Sequence, residues 1–203
     1  MQERKERPRV FSVLLAAGGS SRMGSPKQLL TLEGESLVRR AARAALGSAC
    51  DGVVAVLGAH AEAVAGELAG LDLTQVRNSD WGEGIGASIR CGLEEVLARE
   101  PTCEAVLLVL ADQPGVTSAL LDRLVAEWRA GECGLVACAY AGSLGAPALF
   151  ARAHFEALRG LGGDRGAKAL LLERESEVRR VEFPDGAIDI DTPQDYEELR
   201  RSP

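Results

Sequence analysis

The stretch Val13–Leu30, VLLAAGGSSRMGSPKQLL, decides the reading of the chain. An unbroken apolar run stops in two glycines and two serines, and Arg22, Gly24, Pro26 and Lys27 follow within a few residues. An apolar run that ends so abruptly reads as a strand buried on both faces and emptying into a loop. Small residues let backbone N–H groups approach an anion, and the two cations add fixed positive charge. The anion such a loop suits is a phosphate.

Working outward, the remaining chain alternates apolar runs with helical patterns. Strands are expected at Val10–Leu15, Val53–Leu57, Thr74–Arg77, Ala105–Leu110, Leu135–Ala139 and, with alternating character, Glu177–Glu182. Helices are expected from Ser36 to Gly47, over His60–Leu68, from Ala87 to Arg99, over Ser118–Trp128 after a Thr117 cap, at Ala151–Leu158, after the polar turn in GLGGDRGAKALLLE, and from Pro193 to Arg200 with Thr192 as cap. SLGAPALF, residues 143–150, reads as a connection. This alternation implies an α/β fold, a three-layer Rossmann-like arrangement with a mostly parallel sheet between helices. Residues 1–9 read as a polar tail and 10–203 as one domain.

A length of 203 residues suits one full core, and 46% hydrophobic with 26% charged residues is an ordinary globular balance. A net charge of −7 argues against a general nucleic-acid surface. No apolar run is long enough to span a bilayer, and MQERKERPR ahead of the first strand leads to no clear cleavage site. The five cysteines are odd in number and lack CxxC pairs. They read as reduced thiols, and a cytoplasmic location is expected.

Three familiar loops fail against residues 16–30. Gly18, Gly19 and Gly24 do not make G-x-G-x-x-G. Gly19 and Gly24 have Walker A separation, but Ser25 and Pro26 intervene before Lys27. No serine sits in G-x-S-x-G. What remains, L-A-A-G-G-S-S-R-M-G-S-P-K, resembles the signature of nucleotidyltransferases that activate small molecules with a nucleoside monophosphate. More narrowly, it resembles the molybdenum-cofactor nucleotidyltransferases and their cytidylyltransferase branch. Further motifs follow in that family's order: Asn78, Trp81 and Gly84 with Ser88 after them; Asp112, Gln113 and Pro114; Gly163, Asp164, Gly166, Ala167 and Lys168; and Asp189 to Pro193. One departure is Gly145–Ala146–Pro147, where relatives often carry G-H-P, so that no imidazole is available at that position.

The resemblance implies that Ala16, Ala17, Gly18, Gly19, Ser20, Ser21 and Gly24 wrap a triphosphate, with Arg22 on the phosphates and Lys27 near the α-phosphate. Asn78, Gly84 and Ser88 would approach base and ribose. Gln113, Pro114, Gly163, Asp164 and Gly166 would meet the acceptor. Asp112 is the expected Mg2+ ligand, although an aspartate there could also cap the next helix. Asp191 or Asp189 is the candidate second ligand, two residues apart and on one side of an extended segment. LAAG with DQP leans toward CTP over GTP. The implied reaction attaches CMP to the terminal phosphate of molybdenum-loaded molybdopterin, with a molybdoenzyme or its cofactor chaperone as recipient. The phosphate monoester is its own nucleophile, so no triad is needed. Rival readings are GTP or another phosphorylated acceptor, and a non-catalytic accessory protein that only holds the cofactor.

Overall fold

The computed structural model describes residues 7–19, 26–131, 133–163, 165–188, 190 and 193–201. Its strands are β1 (Val10–Ala16), β2 (Thr31–Leu32), β3 (Glu35–Ser36), β4 (Gly52–Leu57), β5 (Thr74–Arg77), β6 (Ala105–Leu110), β7 (Leu135–Tyr140), β8 (Ser143–Ala151) and β9 (Val178–Glu182). The helices are α1 (Leu37–Leu46), α2 (Ala61–Glu67), α3 (Ile85–Arg99), α4 (Ser118–Arg129), α5 (Phe155–Arg159), α6 (Ala167–Glu173) and α7 (Pro193–Arg201).

β2 and β3 form a small hairpin, and the other strands make one seven-stranded sheet in the order β5-β4-β1-β6-β8-β7-β9. β1 runs parallel to both β4 and β6, with Leu15 opposite Val56 on one side and Leu110 on the other. β8 is the antiparallel strand, paired with β6 and β7. The sheet is therefore mostly parallel, as the alternation implies. Period-two alternation in β1 divides its side chains between two cores. Val10, Leu14 and Ala16 pack with α1, α2 and α4, while Val13, Leu15 and Ala17 pack with α3, α5 and α6. α3 sits so close to the sheet that a Cβ on Gly92 would lie 2.4 Å from Val13 and 2.8 Å from Val56.

Two expectations need correction. SLGAPALF is not a connection but most of β8, inserted between β6 and β7. It is joined to β7 by a tight turn in which Ala141 and Gly142 both take positive φ, the hairpin geometry that matches strand twist. Pro147 is tolerated because register shifts between Ala137 and Cys138, so that Ala146 and Pro147 fall in a bulge. β9 does not alternate: Val178 and Val181 are buried while Arg179, Arg180 and Glu182 are exposed. The Thr117 cap is present, accepting from the Leu120 N–H at 3.3 Å. Thr192 lies outside the described residues. No helix among the described residues is long and apolar enough to cross a membrane.

Strand order reverses between β1 and β6. From β1 the chain steps outward to β4 and β5, then returns to place β6 on the other flank. In such sheets, ligands bind beyond the carboxyl ends of the strands at the reversal. The glycine-rich loop leaves β1 and Asp112 follows β6, so both open onto that one point.

Candidate active site

A cavity of about 460 Å3 lies at the reversal point. It is lined by Leu15–Gly19 at the end of β1, Leu110–Asp112 at the end of β6, and Lys27, Gln28, Trp81, Gly82, Gly84, Ile85 and Ser88. The two strand ends are tied together past the formal sheet, since the Ala111 N–H donates to Leu15 O at 3.2 Å. On the other flank the Ala59 N–H donates to Ala17 O at 3.2 Å. The start of the loop is thus held by the ladder that built the strands.

Gln28 completes this fixation, and the sequence motif gave it no role. It is buried, with its Nε2 donating to Gly18 O at 2.9 Å and reaching Ala16 O at 3.5 Å. A side-chain amide can satisfy carbonyls that a loop leaves without ladder partners. Gln28 and its neighbour Lys27 share one 3-10 turn and both line the cavity, one as an amide and one as a cation.

The lining also takes in the start of α3. Gly84 caps that helix at φ 110°, a left-handed conformation that glycine adopts without Cβ strain. No side chain caps the helix, and Gly84, Ile85 and Ser88 at its start line the cavity, where the positive end of the dipole favours an anion. Asn78 is brought near but does not line the cavity. Its Nδ2 donates to Ser88 Oγ at 3.1 Å and its Oδ1 accepts from the Asp80 N–H at 3.0 Å, so it shapes the turn and orients Ser88.

Ala16, Ala17, Gly18, Gly19, Lys27, Gly84, Ser88 and Asp112 are therefore assembled around one cavity. Ser20, Ser21, Arg22, Gly24, Asp164, Asp189 and Asp191 lie outside the described residues. Gln113 and Pro114 follow Asp112 but do not line the cavity; Gln113 Nε2 instead donates to Ala146 O at 3.1 Å, bridging to the bulge of β8. Gly163 and Gly166 flank the start of α6, with Gly166 set against Ile85: a Cβ there would lie 3.1 Å from Ile85 Cγ2. Gly115 packs on the 3-10 turn Pro184–Ala187, where a Cβ would be 2.8 Å from that of Asp185.

Asp112 offers one hard oxygen donor on the cavity wall. Among the described residues no group of three His, Cys, Asp or Glu side chains could hold a metal unaided. A cation bound here would be shared between Asp112 and oxygens of a ligand, which suits Mg2+ with a polyphosphate. The cysteines take no part: burial pushes the Cys50 and Cys103 thiols up to about 11 and Cys138 up to about 12, away from thiolate chemistry.

Comparison with known proteins agrees with this arrangement. Residues 12–178 match the MobA-like NTP transferase domain. Nicotine blue oxidoreductase of Paenarthrobacter nicotinovorans is 34% identical over 91% of this chain and 93% of its own length. Purine catabolism protein PucB of Bacillus subtilis is 33% identical, covering 96% and 98%. Among solved structures, Rv0371c of Mycobacterium tuberculosis superposes with a TM-score of 0.82 at 31% identity, over 96% of this chain and 99% of that one. The same protein is also known in complex with manganese, with a TM-score of 0.79, 30% identity and the same coverage. The chain belongs to the MobA-like NTP transferase domain family.

Proposed function

We propose that this MobA-like NTP transferase transfers CMP from CTP to the terminal phosphate of molybdenum-loaded molybdopterin, releasing pyrophosphate and forming the cytosine dinucleotide. The observation that carries the phosphoryl-transfer half of this reading is the cavity at the β1/β6 reversal, lined by Lys27, Asp112 and the start of α3. The choice of CTP rests on the LAAG and DQP strings, and that of the molybdopterin acceptor on the resemblance of the whole motif set to the molybdenum-cofactor nucleotidyltransferases.

In this reading the Ala16–Gly19 backbone, held by Gln28 and the flanking strands, gives a triphosphate a fixed seat. Lys27 and Arg22 offset the charge that builds on the α-phosphoryl oxygens and on the departing pyrophosphate. Asp112 would hold Mg2+, which supplies charge neutralisation along the triphosphate when bound. Asp191 or Asp189 is proposed as its second ligand. The described segment leading to them, Pro184–Ala187, packs on Gly115 in the Asp112 turn, which supports that assignment. The acceptor phosphate, whose second pKa is about 6, is largely dianionic at neutral pH and attacks in line without a protein base. Gln113, Pro114 and the Gly163–Gly166 turn, Asp164 included, are proposed to meet the acceptor. A molybdoenzyme or its cofactor chaperone would receive the product.

The name of the relative from Paenarthrobacter raises redox chemistry as a second reading. Against it, the loop after β1 lacks the glycine spacing that seats a dinucleotide pyrophosphate. One assay separates the readings. Purified protein with Mg2+, molybdenum-loaded molybdopterin and each NTP in turn is expected to release pyrophosphate with CTP. Equal release with GTP would refute the base assignment. No release with any NTP, alongside NAD(P)H consumption, would favour the redox reading, and neither activity would favour an accessory protein.

A further inference from the structure

Trp81 and Ile85 are two of the large apolar side chains left exposed among the described residues, at 42% and 38%, and both line the cavity. Neither is a floppy surface group. Trp81 is wedged between two strand ends: a Cβ on Gly58 would lie 2.8 Å from its Cβ, and a Cβ on Gly19 would lie 3.3 Å from its Cζ3. Neither glycine takes a left-handed φ, so what they supply is room for the indole. Ile85 is backed by Gly166 in the same way. Three glycines thus make room for an aromatic ring and a branched aliphatic group in the cavity lining, each with about two-fifths of its surface open to solvent.

We propose that Trp81, backed by Ile85, is a preorganised stacking platform for a planar heteroaromatic ring of a ligand whose phosphates occupy the cavity. The inference rests on the reading of the cavity as a nucleotide site. The cavity lining combines the polar groups of Lys27 and Asp112 with apolar surface from Leu15, Leu110, Trp81 and Ile85, so a ligand with charged phosphates and a flat ring meets both kinds of chemistry in one cavity. A ring locked by its own packing loses little entropy when a ligand stacks on it. Each base stacked on an aromatic side chain contributes about 1–3 kcal/mol by alanine substitution, which is about five- to 150-fold in affinity. Two ligands carry such a ring, the nucleotide and a pterin acceptor.

The test uses the Trp128→Phe protein, in which Trp81 is the remaining tryptophan. Mg2+-CTP, a soluble pterin and inorganic pyrophosphate with Mg2+ are each titrated calorimetrically against it, with Trp81 emission followed in parallel, and calorimetrically against the same protein carrying Trp81→Ala. Quenching by CTP, with at least a fivefold affinity loss on Trp81→Ala and unchanged pyrophosphate affinity, assigns the platform to the nucleobase. The same pattern with the pterin assigns it to the acceptor. Trp81→Phe should restore most of the lost affinity in either case. Equal loss for pyrophosphate would mean that Trp81 acts only by pressing on Gly19, and would overturn the platform. Retained pyrophosphate binding with no ring effect from either ligand overturns it while leaving the phosphate site standing. Absence of all binding overturns both.

Discussion

Replacing Gln28 by leucine tests whether the phosphate seat is preorganised from beneath. Leucine nearly conserves the buried volume but removes the Nε2 donor, leaving Gly18 O without its 2.9 Å bond; the 3.5 Å approach to Ala16 O is too long to count for much. Losing one good bond and orphaning a partly buried carbonyl costs about 1–2 kcal/mol. For a domain of this size that lowers Tm by roughly 2–8 °C. The larger effect falls on the loop. If one loop residue must now be ordered by the ligand, binding is weakened by about 1–2 kcal/mol of backbone entropy, roughly ten-fold in Kd. Calorimetric titration of Mg2+-triphosphate into both proteins reads this directly, with thermal melts run in parallel. No charge has been removed, so the slope of log Kd against log salt should stay at the parental value, whereas Lys27→Ala should reduce it. Parental Kd and Tm in the Gln28→Leu protein would refute the idea that this amide holds the loop.

Asp112→Asn should abolish the Mg2+ dependence of triphosphate binding and lower turnover by about 10^2–10^3, with Tm within a few degrees of the parent; metal-stimulated turnover at parental rate would exclude it as a ligand. Gly92→Ala should lower Tm by up to roughly 8 °C. The added Cβ collides with Val13 and Val56, costing about 1–3 kcal/mol in overpacking, and the gain of about 1 kcal/mol in helix propensity offsets only part of it. His154 adds a pH dependence. Burial first, then the nearby Arg174 charge, lowers its pKa below the ordinary value, against a raising influence from Glu177. The unfolded chain therefore takes up its proton at higher pH than the folded one, and this contribution to stability is present above about pH 6.5 and lost as pH falls below it. Melts from pH 7.5 to 5 should show a shallower decline in His154→Gln than in the parent.

Much of this was legible from sequence where one local rule acts alone. The doubly buried strands β1 and β6 declare themselves as unbroken apolar runs, and the residues at their carboxyl ends, Gly18 and Asp112, were the ones marked for chemistry. That β1 and β6 are neighbours was not legible, because strand order is decided by how helices cover the two faces. β8 was missed because Gly145 and Pro147 are strong strand-breaking signals; a bulge opposite Ala137–Cys138 absorbs them, and a bulge is a property of two strands. Gln28 is hidden for a related reason. Its role depends on the Gly18 carbonyl of another segment, so no spacing within the chain could announce it, whereas Trp81 already stands out in the Asn78–Trp81–Gly84 spacing.

The two halves of the site differ in how completely this chain provides for them. On the nucleotide side every described residue named from sequence lies at or against one cavity, a part-buried hydrogen bond from Gln28 holds Gly18, and a buried one from Asn78 holds Ser88. On the proposed acceptor side, the position where the resemblance leads one to expect histidine is Ala146, whose carbonyl accepts from Gln113 Nε2. Gln113 Oε1 is buried with no hydrogen-bond partner among the described residues. A buried amide oxygen left in this state costs about 1–3 kcal/mol unless something donates to it. Restoring an imidazole by Ala146→His would put a donor within the same bulge, two residues from the strand ladder that resumes at Ala148. If the orphaned oxygen is the mark of that lost partner, Ala146→His should raise Tm or acceptor affinity, and the gain should vanish in the Gln113→Leu background. A gain that survives without Gln113 would show that the two positions are not coupled, and that the orphaned oxygen awaits a donor from the acceptor itself.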